Sequence, residues 1–226
     1  MNYKPKNILV IAPHADDESL GCGGTLLRHK AEGDYIHWLL VTGMSESCGF
    51  STERIQSRQE EIHKVSKRYG FESVTQLGLP PAALETLSMG KIIGGVSKTI
   101  QSVEPDIVYV PYRNDAHSDH ELVFDAAMSA TKSFRYPFIQ RVLAYETISE
   151  TDFGLKPEDG GFRPNVFIDI TQHLEDKLSI LDIYESEMGQ FPFPRSRKAL
   201  EALATLRGVQ SNAHAAEAFM LIKEIL

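Results

Sequence analysis

Cysteine, positive charge and long apolar runs are all scarce in this chain of 226 residues. Cys22 and Cys48 are its two cysteines, and they form no C-x-x-C motif. A disulfide scaffold is thereby excluded, and two reduced thiols in a cytoplasmic protein are expected. No apolar run approaches the roughly 20 residues that span a bilayer. Residues Met1–Asn7 are polar and Ile8–Ala12 is too short for a targeting core, so no signal peptide is expected. Lys and Arg number 23 against 31 Asp and Glu, a formal charge of −8, which argues against a partner bound through its phosphate backbone. Repeats, low-complexity tracts and dividing linkers are missing too. The length then suits one domain, residues 1–226, with a large buried core.

What is present alternates. Short apolar runs are expected as strands at Ile8–Ala12, Tyr35–Thr42, Ser73–Leu79, Asp106–Val110, Arg141–Thr147 and Asn165–Ile170. Between them helices are expected over Gly21–Glu32, Glu53–Tyr69, Lys91–Val103 and a stretch after His120. Another runs from a Thr171 N-cap to about Glu187, and Ser196–Arg207 and Ala213–Leu226 close the chain as two further helices. Runs apolar on both faces suit strands covered on both sides. The pattern predicts a three-layer, Rossmann-like α/β fold around a mostly parallel sheet.

Two strand ends carry the chemistry. The first strand empties into His14-Ala15-Asp16-Asp17-Glu18 and the fourth into Asp115-Ala116-His117-Ser118-Asp119-His120. Acids crowded into one turn repel, and a dication relieves that. In open α/β sheets such turns can flank the crevice where strand order reverses. His14, Asp17 and His120 make a donor set common for catalytic zinc, with a position left for water. Side chains of adjacent residues point apart, so Asp16 is free to serve as general base on the water. His117 is expected as a cation that stabilises the oxyanion or protonates the leaving group. Asp119 is placed to orient a histidine, and Glu18 is read as a supporting or helix-start acid. Arg58 falls on the apolar stripe of its helix, three residues after Ile55, and needs a partner there. The glycines Gly21-x-Gly23-Gly24 miss the dinucleotide spacing and are expected to allow close helix–sheet packing.

These motifs resemble the PIG-L/LmbE family of zinc-dependent N-deacetylases. The family pattern is His-Pro-Asp-Asp-Glu followed later by His-x-Asp-His, and Ala15 replaces the proline here. The similarity continues through Pro164–Asp169, Arg207-Gly208 and Ala216–Phe219. It implies zinc, with another divalent ion as the alternative, on His14, Asp17 and His120. It also implies Asp16 as base, His117 as catalytic histidine and Arg58 as a substrate contact. Asp119 completes the catalytic set, and Glu146 and Asp115 join Arg58 as candidate substrate contacts. Glu146, at the end of the fifth strand, either lines the pocket or caps the sheet. Arg163, Arg195 and Arg207 are expected in surface ion pairs, with an anionic substrate as the other option. Many family members carry an acid after the third strand. This chain has Leu79-Pro80-Pro81-Ala82-Ala83 there, so glucosaminyl-inositol and glucosaminyl-malate substrates are not carried over. The expected function is hydrolysis of an N-acetyl amide on a small, amino-sugar-containing metabolite. The alternatives are a zinc hydrolase of another amide or ester, and a non-catalytic sugar-binding module. Neither nucleic acid nor membrane is expected as a partner. A homo-oligomer is compatible with the charge pattern.

Overall fold

The computed structural model describes residues 4–154, 156 and 160–226. The segment Glu150–Arg163, a lid candidate by its Gly, Asp and Glu content, falls partly outside the described residues. Seven strands form one sheet: β1 (Asn7–Ala12), β2 (Tyr35–Thr42), β3 (Ser73–Leu79), β4 (Ile107–Pro111), β5 (Arg141–Tyr145), β6 (Val166–Asp169) and β7 (Ala216–Glu224). Their order is β3-β2-β1-β4-β5-β7-β6. The first five run parallel, and β7 lies antiparallel between β5 and β6.

Strand β1 explains the layering. Ile8, Leu9, Val10, Ile11 and Ala12 are completely buried, and successive side chains point to opposite faces. Ile8, Val10 and Ala12 join a core covered by α1 (Asp17–Glu32), α2 (Thr52–Tyr69), α5 (Leu174–Leu181) and α6 (Arg197–Ser211). Leu9 and Ile11 join the opposite core, covered by α3 (Met89–Val103) and α4 (Ser118–Ser129). Each aliphatic side chain buried in this way contributes about 1.5–3 kcal/mol. Helix α1 is buried from Asp17 through Leu26 and lies unusually close to its neighbours. A Cβ on Gly21 would sit 2.2 Å from the Tyr145 ring, and one on Gly24 would sit 2.7 Å from Ile170. Those glycines serve packing, as their spacing suggests.

Two elements differ from expectation. The last segment is a strand, not a helix. Ala216-Glu217-Ala218-Phe219-Met220-Leu221 is rich in helix formers, but it fills the gap between β5 and β6. There Phe219 pairs with both Tyr145 and Val166, so tertiary pairing overrides local propensity. Helix α5 is also shorter than expected. It starts after His173, Thr171 Oγ1 donating to Asp169 (2.6 Å) instead of capping the helix, and it ends at Leu181. Beyond Leu181 the chain runs in turns and irregular structure to α6 and brings Glu187 and Arg195 to the cleft described below.

Candidate active site

Strand order reverses between β1 and β4, which are direct neighbours. A crevice opens at their carboxyl ends. The turn after β1 delivers His14, Ala15 and Asp16, and Asp17 begins α1. Asp16 makes that turn at φ 144°, ψ −27°, a backbone region costly for any residue with a Cβ. The loop after β4 ends at His117, which caps α4. Its Nδ1 accepts the Asp119 N–H at 3.1 Å. Asp119 and His120 then lie in the first turn of α4 and are buried.

The structure brings His14, Asp17 and His120 together, with one ligand-capable atom of each within 4.8 Å of the others. Asp17 Oδ2 lies 3.2 Å from His14 Nδ1 and 3.3 Å from His120 Nε2. His120 Nε2 is buried and makes no hydrogen bond. An orphaned buried nitrogen is costly, and two imidazoles with one carboxylate are a fitting donor set for a divalent cation. His14, His117 and Asp119 form a second, overlapping group that shares His14.

Other acids orient the histidines. Asp115 Oδ2 lies 2.7 Å from His120 Nδ1 and its Oδ1 accepts from Thr151 Oγ1 at 2.6 Å. Asp119 Oδ2 lies 3.1 Å from His14 Nε2 and accepts the Ala82 N–H at 2.8 Å. Without an ion these carboxylates hold protons on the imidazoles. Burial opposes the charge, yet Asp119 and Asp17 raise His14 to about 9, and Asp17 and Asp115 raise His120 to about 10. His117 goes the other way. Burial first, and then the neighbouring His14, hold it below its ordinary value. Its Nδ1 accepts the Asp119 N–H, an arrangement that suits a neutral imidazole where the sequence reading expects a cation. Glu18 is fully buried, accepting from the Asp16 N–H (3.1 Å), Ser19 Oγ (2.6 Å) and Tyr184 Oη (2.9 Å). Burial pushes its carboxyl up to about 7.

Asp16 stands beside this cluster and lines a cleft of about 230 Å³ with His14, His117, Arg58 and Arg195. Leu40, Met44, Phe50 and Ile62 supply its apolar wall. Burial first, and then the Asp17 charge, push the Asp16 carboxyl up to about 8, with Arg195 opposing. Arg58 finds the partners its position demands. It donates to the Ala15 carbonyl at 2.8 Å, pairs with Glu187, and has Nε 3.1 Å from Glu61 Oε2.

Two candidate substrate contacts lie elsewhere. Asp115 is behind His120 and does not line the cleft. Glu146 faces Arg207 in a bidentate pair at 2.7 and 2.5 Å, under a different part of the sheet. Conversely, Arg195 is not a surface group. Its side chain is only 16% exposed and its Nη1 donates to Asp16 Oδ2 at 2.6 Å. No local pattern marks that contact, because 179 residues separate the partners. Among the described residues no helix is long and apolar enough to cross a membrane.

An acid poised beside a cluster able to hold a divalent cation, at the switch point of a Rossmann-like sheet, is an arrangement suited to activating water. The chain belongs to the PIG-L family: the family model described as PIG-L, GlcNAc-PI de-N-acetylase, matches residues 9–131. Over 151 residues it is 31% identical to the uncharacterized deacetylase YaiS of Escherichia coli (strain K12), covering 65% of this chain and 76% of that protein. It is 26% identical to the diacetylchitobiose deacetylase of Thermococcus kodakarensis, covering 97% of this chain and 84% of that one. Among solved structures, the conserved protein TT1542 from Thermus thermophilus superposes with a TM-score of 0.78 at 25% identity, covering 98% and 96% of the two chains.

Proposed function

We propose that this deacetylase removes the acetyl group from the nitrogen of a small amino-sugar-containing metabolite, using zinc held by His14, Asp17 and His120. The observation that carries the reading is the convergence of those three side chains on one point, with His120 Nε2 buried, 3.3 Å from Asp17 Oδ2 and in no well-formed hydrogen bond. The kinship to a diacetylchitobiose deacetylase across nearly the whole chain supports the amino-sugar class. An ion bound there supplies Lewis acidity toward the amide carbonyl and makes water a nucleophile near neutral pH.

The protein's own groups do the rest. Asp119 and Asp115 fix the rings of His14 and His120 and set which nitrogen of each faces the ion. Asp16 takes the proton of the attacking water. His117 accepts the Asp119 N–H at Nδ1 and so keeps its other ring nitrogen to donate to the oxyanion of the tetrahedral intermediate. Asp16 then passes its proton to the departing amine. Acetate and a free amine result, one water being consumed. Arg58 lines the cleft and contacts the substrate, while its pairing with Glu187 and Glu61 keeps its charge compensated. Residues 1–226 act as one domain, in the cytoplasm, on a small molecule and not on nucleic acid or a membrane. Self-association into a homo-oligomer is compatible with this reading.

The test is a panel of N-acetylated sugars, sugar nucleotides and other acylated metabolites, offered to protein stripped of metal and then reloaded. Free amine and acetate should appear in equal amounts, and only after reloading. Release of acid from esters or longer acyl amides, with none from any N-acetyl sugar, would favour a hydrolase of another bond.

A further inference from the structure

The proposed base is held by a residue from the far end of the chain. Among the described residues, the Asp16 carboxylate takes its side-chain hydrogen bond from Arg195 alone. Arg195 is itself held on several sides. Its Nε donates to Ser149 Oγ at 2.8 Å, its Nη2 lies 3.4 Å from Glu150 Oε1, and its Nη1 lies 3.4 Å from Glu187 Oε2. Ser149 is one of few non-glycine residues at positive φ, here 76°. A left-handed serine inside an ordered loop is conformational strain that the surroundings must over-determine.

The loop that carries Ser149 and Glu150 also touches the histidine side of the site. Thr151 Oγ1 donates to Asp115, the partner of His120, and the Glu150 carbonyl accepts the Ala116 N–H at 3.1 Å. One short loop therefore braces both the guanidinium that meets Asp16 and the carboxylate that meets His120. A planar guanidinium, whose three nitrogens meet Ser149, Asp16 and Glu150 separately, suits such bracing better than a flexible ammonium.

We propose that Arg195 is a positioning residue for the reaction: it fixes the Asp16 carboxylate at the edge of the cleft, apart from the ligand carboxylate of Asp17. This rests on the reading of Asp16 as base. Arg195 is read as acting through Asp16 and not on the substrate, and that separates it from Arg58.

The test uses Arg195→Gln, Arg195→Ala and Arg195→Lys in the full chain, each with and without Asp16→Asn. On a substrate found in the panel, kcat of Arg195→Gln and Arg195→Ala should fall on the order of 10²-fold, the usual penalty for a misplaced catalytic group. KM and bound metal should stay at the wild-type level. Added guanidinium should restore part of the rate of Arg195→Ala, and Arg195→Lys should fall between. Combined with Asp16→Asn, the Arg195 change should cost no further activity, because groups acting as a unit are not additive. A raised KM with unchanged kcat, or additive losses in the double variant, would overturn the inference while leaving the deacetylase reading intact. Wild-type protein that deacetylates nothing in the panel removes the reading itself. Stability then still tests the contact: a denaturation cycle over Arg195→Gln and Asp16→Asn that proves additive denies the pairing.

Discussion

Asp16 and Asp17 are neighbours in sequence with opposite electrostatic surroundings. Burial opposes the charge on Asp17, but His120 and His14 hold its carboxyl well below the usual range. Asp16 sits near 8 because burial and Asp17 outweigh Arg195. Carboxyls pushed apart in this way are suited to different tasks. At this scale Asp16→Asn should keep the bound ion and lose turnover by about 10²- to 10⁴-fold, the range for general acid–base groups. Elemental analysis beside an amine-release assay checks both halves, and near-wild-type turnover would end the assignment of Asp16. His120→Ala should lose the ion as well as activity. It also leaves Asp115 buried without its imidazole. A full complement of metal in that variant would remove His120 from the ligand set.

Elements show where packing, and not pattern, decides. In α1 a side chain at Gly21 meets the buried Tyr145 ring, so Gly21→Ala should destabilise by about 1–3 kcal/mol, the cost of overpacking. Gly94, inside α3, has nothing within 4 Å of where its Cβ would be. Gly94→Ala should stabilise by up to about 1 kcal/mol, the helix-propensity difference. Urea denaturation of the two variants gives both signs, and equal effects would contradict the packing argument. The same contrast explains what the sequence disclosed. The two acidic and histidine motifs were readable because each is local and each directly follows a strand. Arg58 was readable because a charge on an apolar stripe needs a partner. The strand β7 was not, since its residues favour helix and only the gap between β5 and β6 makes them extend. Nor were the partners of Arg195 and Glu146, which depend on loops and strands brought together from distant parts of the chain.

For the whole molecule, the cluster makes the stability of the ion-free protein and the extra stability gained from an ion depend on pH in opposite senses. His14 and His120 carry folded values of about 9 and about 10 against an ordinary 6.5. The folded state thus holds more protons between those values, and stability falls as pH rises through that window. Asp16 and Glu18, raised to about 8 and about 7 from 3.8 and 4.5, act with the same sign at lower pH. A cation must displace the imidazole protons, so its affinity rises with pH. Chelator-treated protein should therefore lose Tm between about pH 6.5 and 9. Over the same range the Tm gained on adding Zn²⁺ should grow. Thermal scans at several pH values check both trends, and a gain from metal that shrinks as pH rises would contradict the ligand set.

The proposed ligand set spans the join between β1 and β4, His14 and Asp17 on one side and His120 about a hundred residues on. That join is a long-range parallel pairing, which forms slowly because a large loop must close first. No ion can be gripped by all three ligands before those strands have met. The metal should therefore leave the rate of folding almost unchanged and act on the rate of unfolding, which makes it a lock set after assembly and not a nucleus for it.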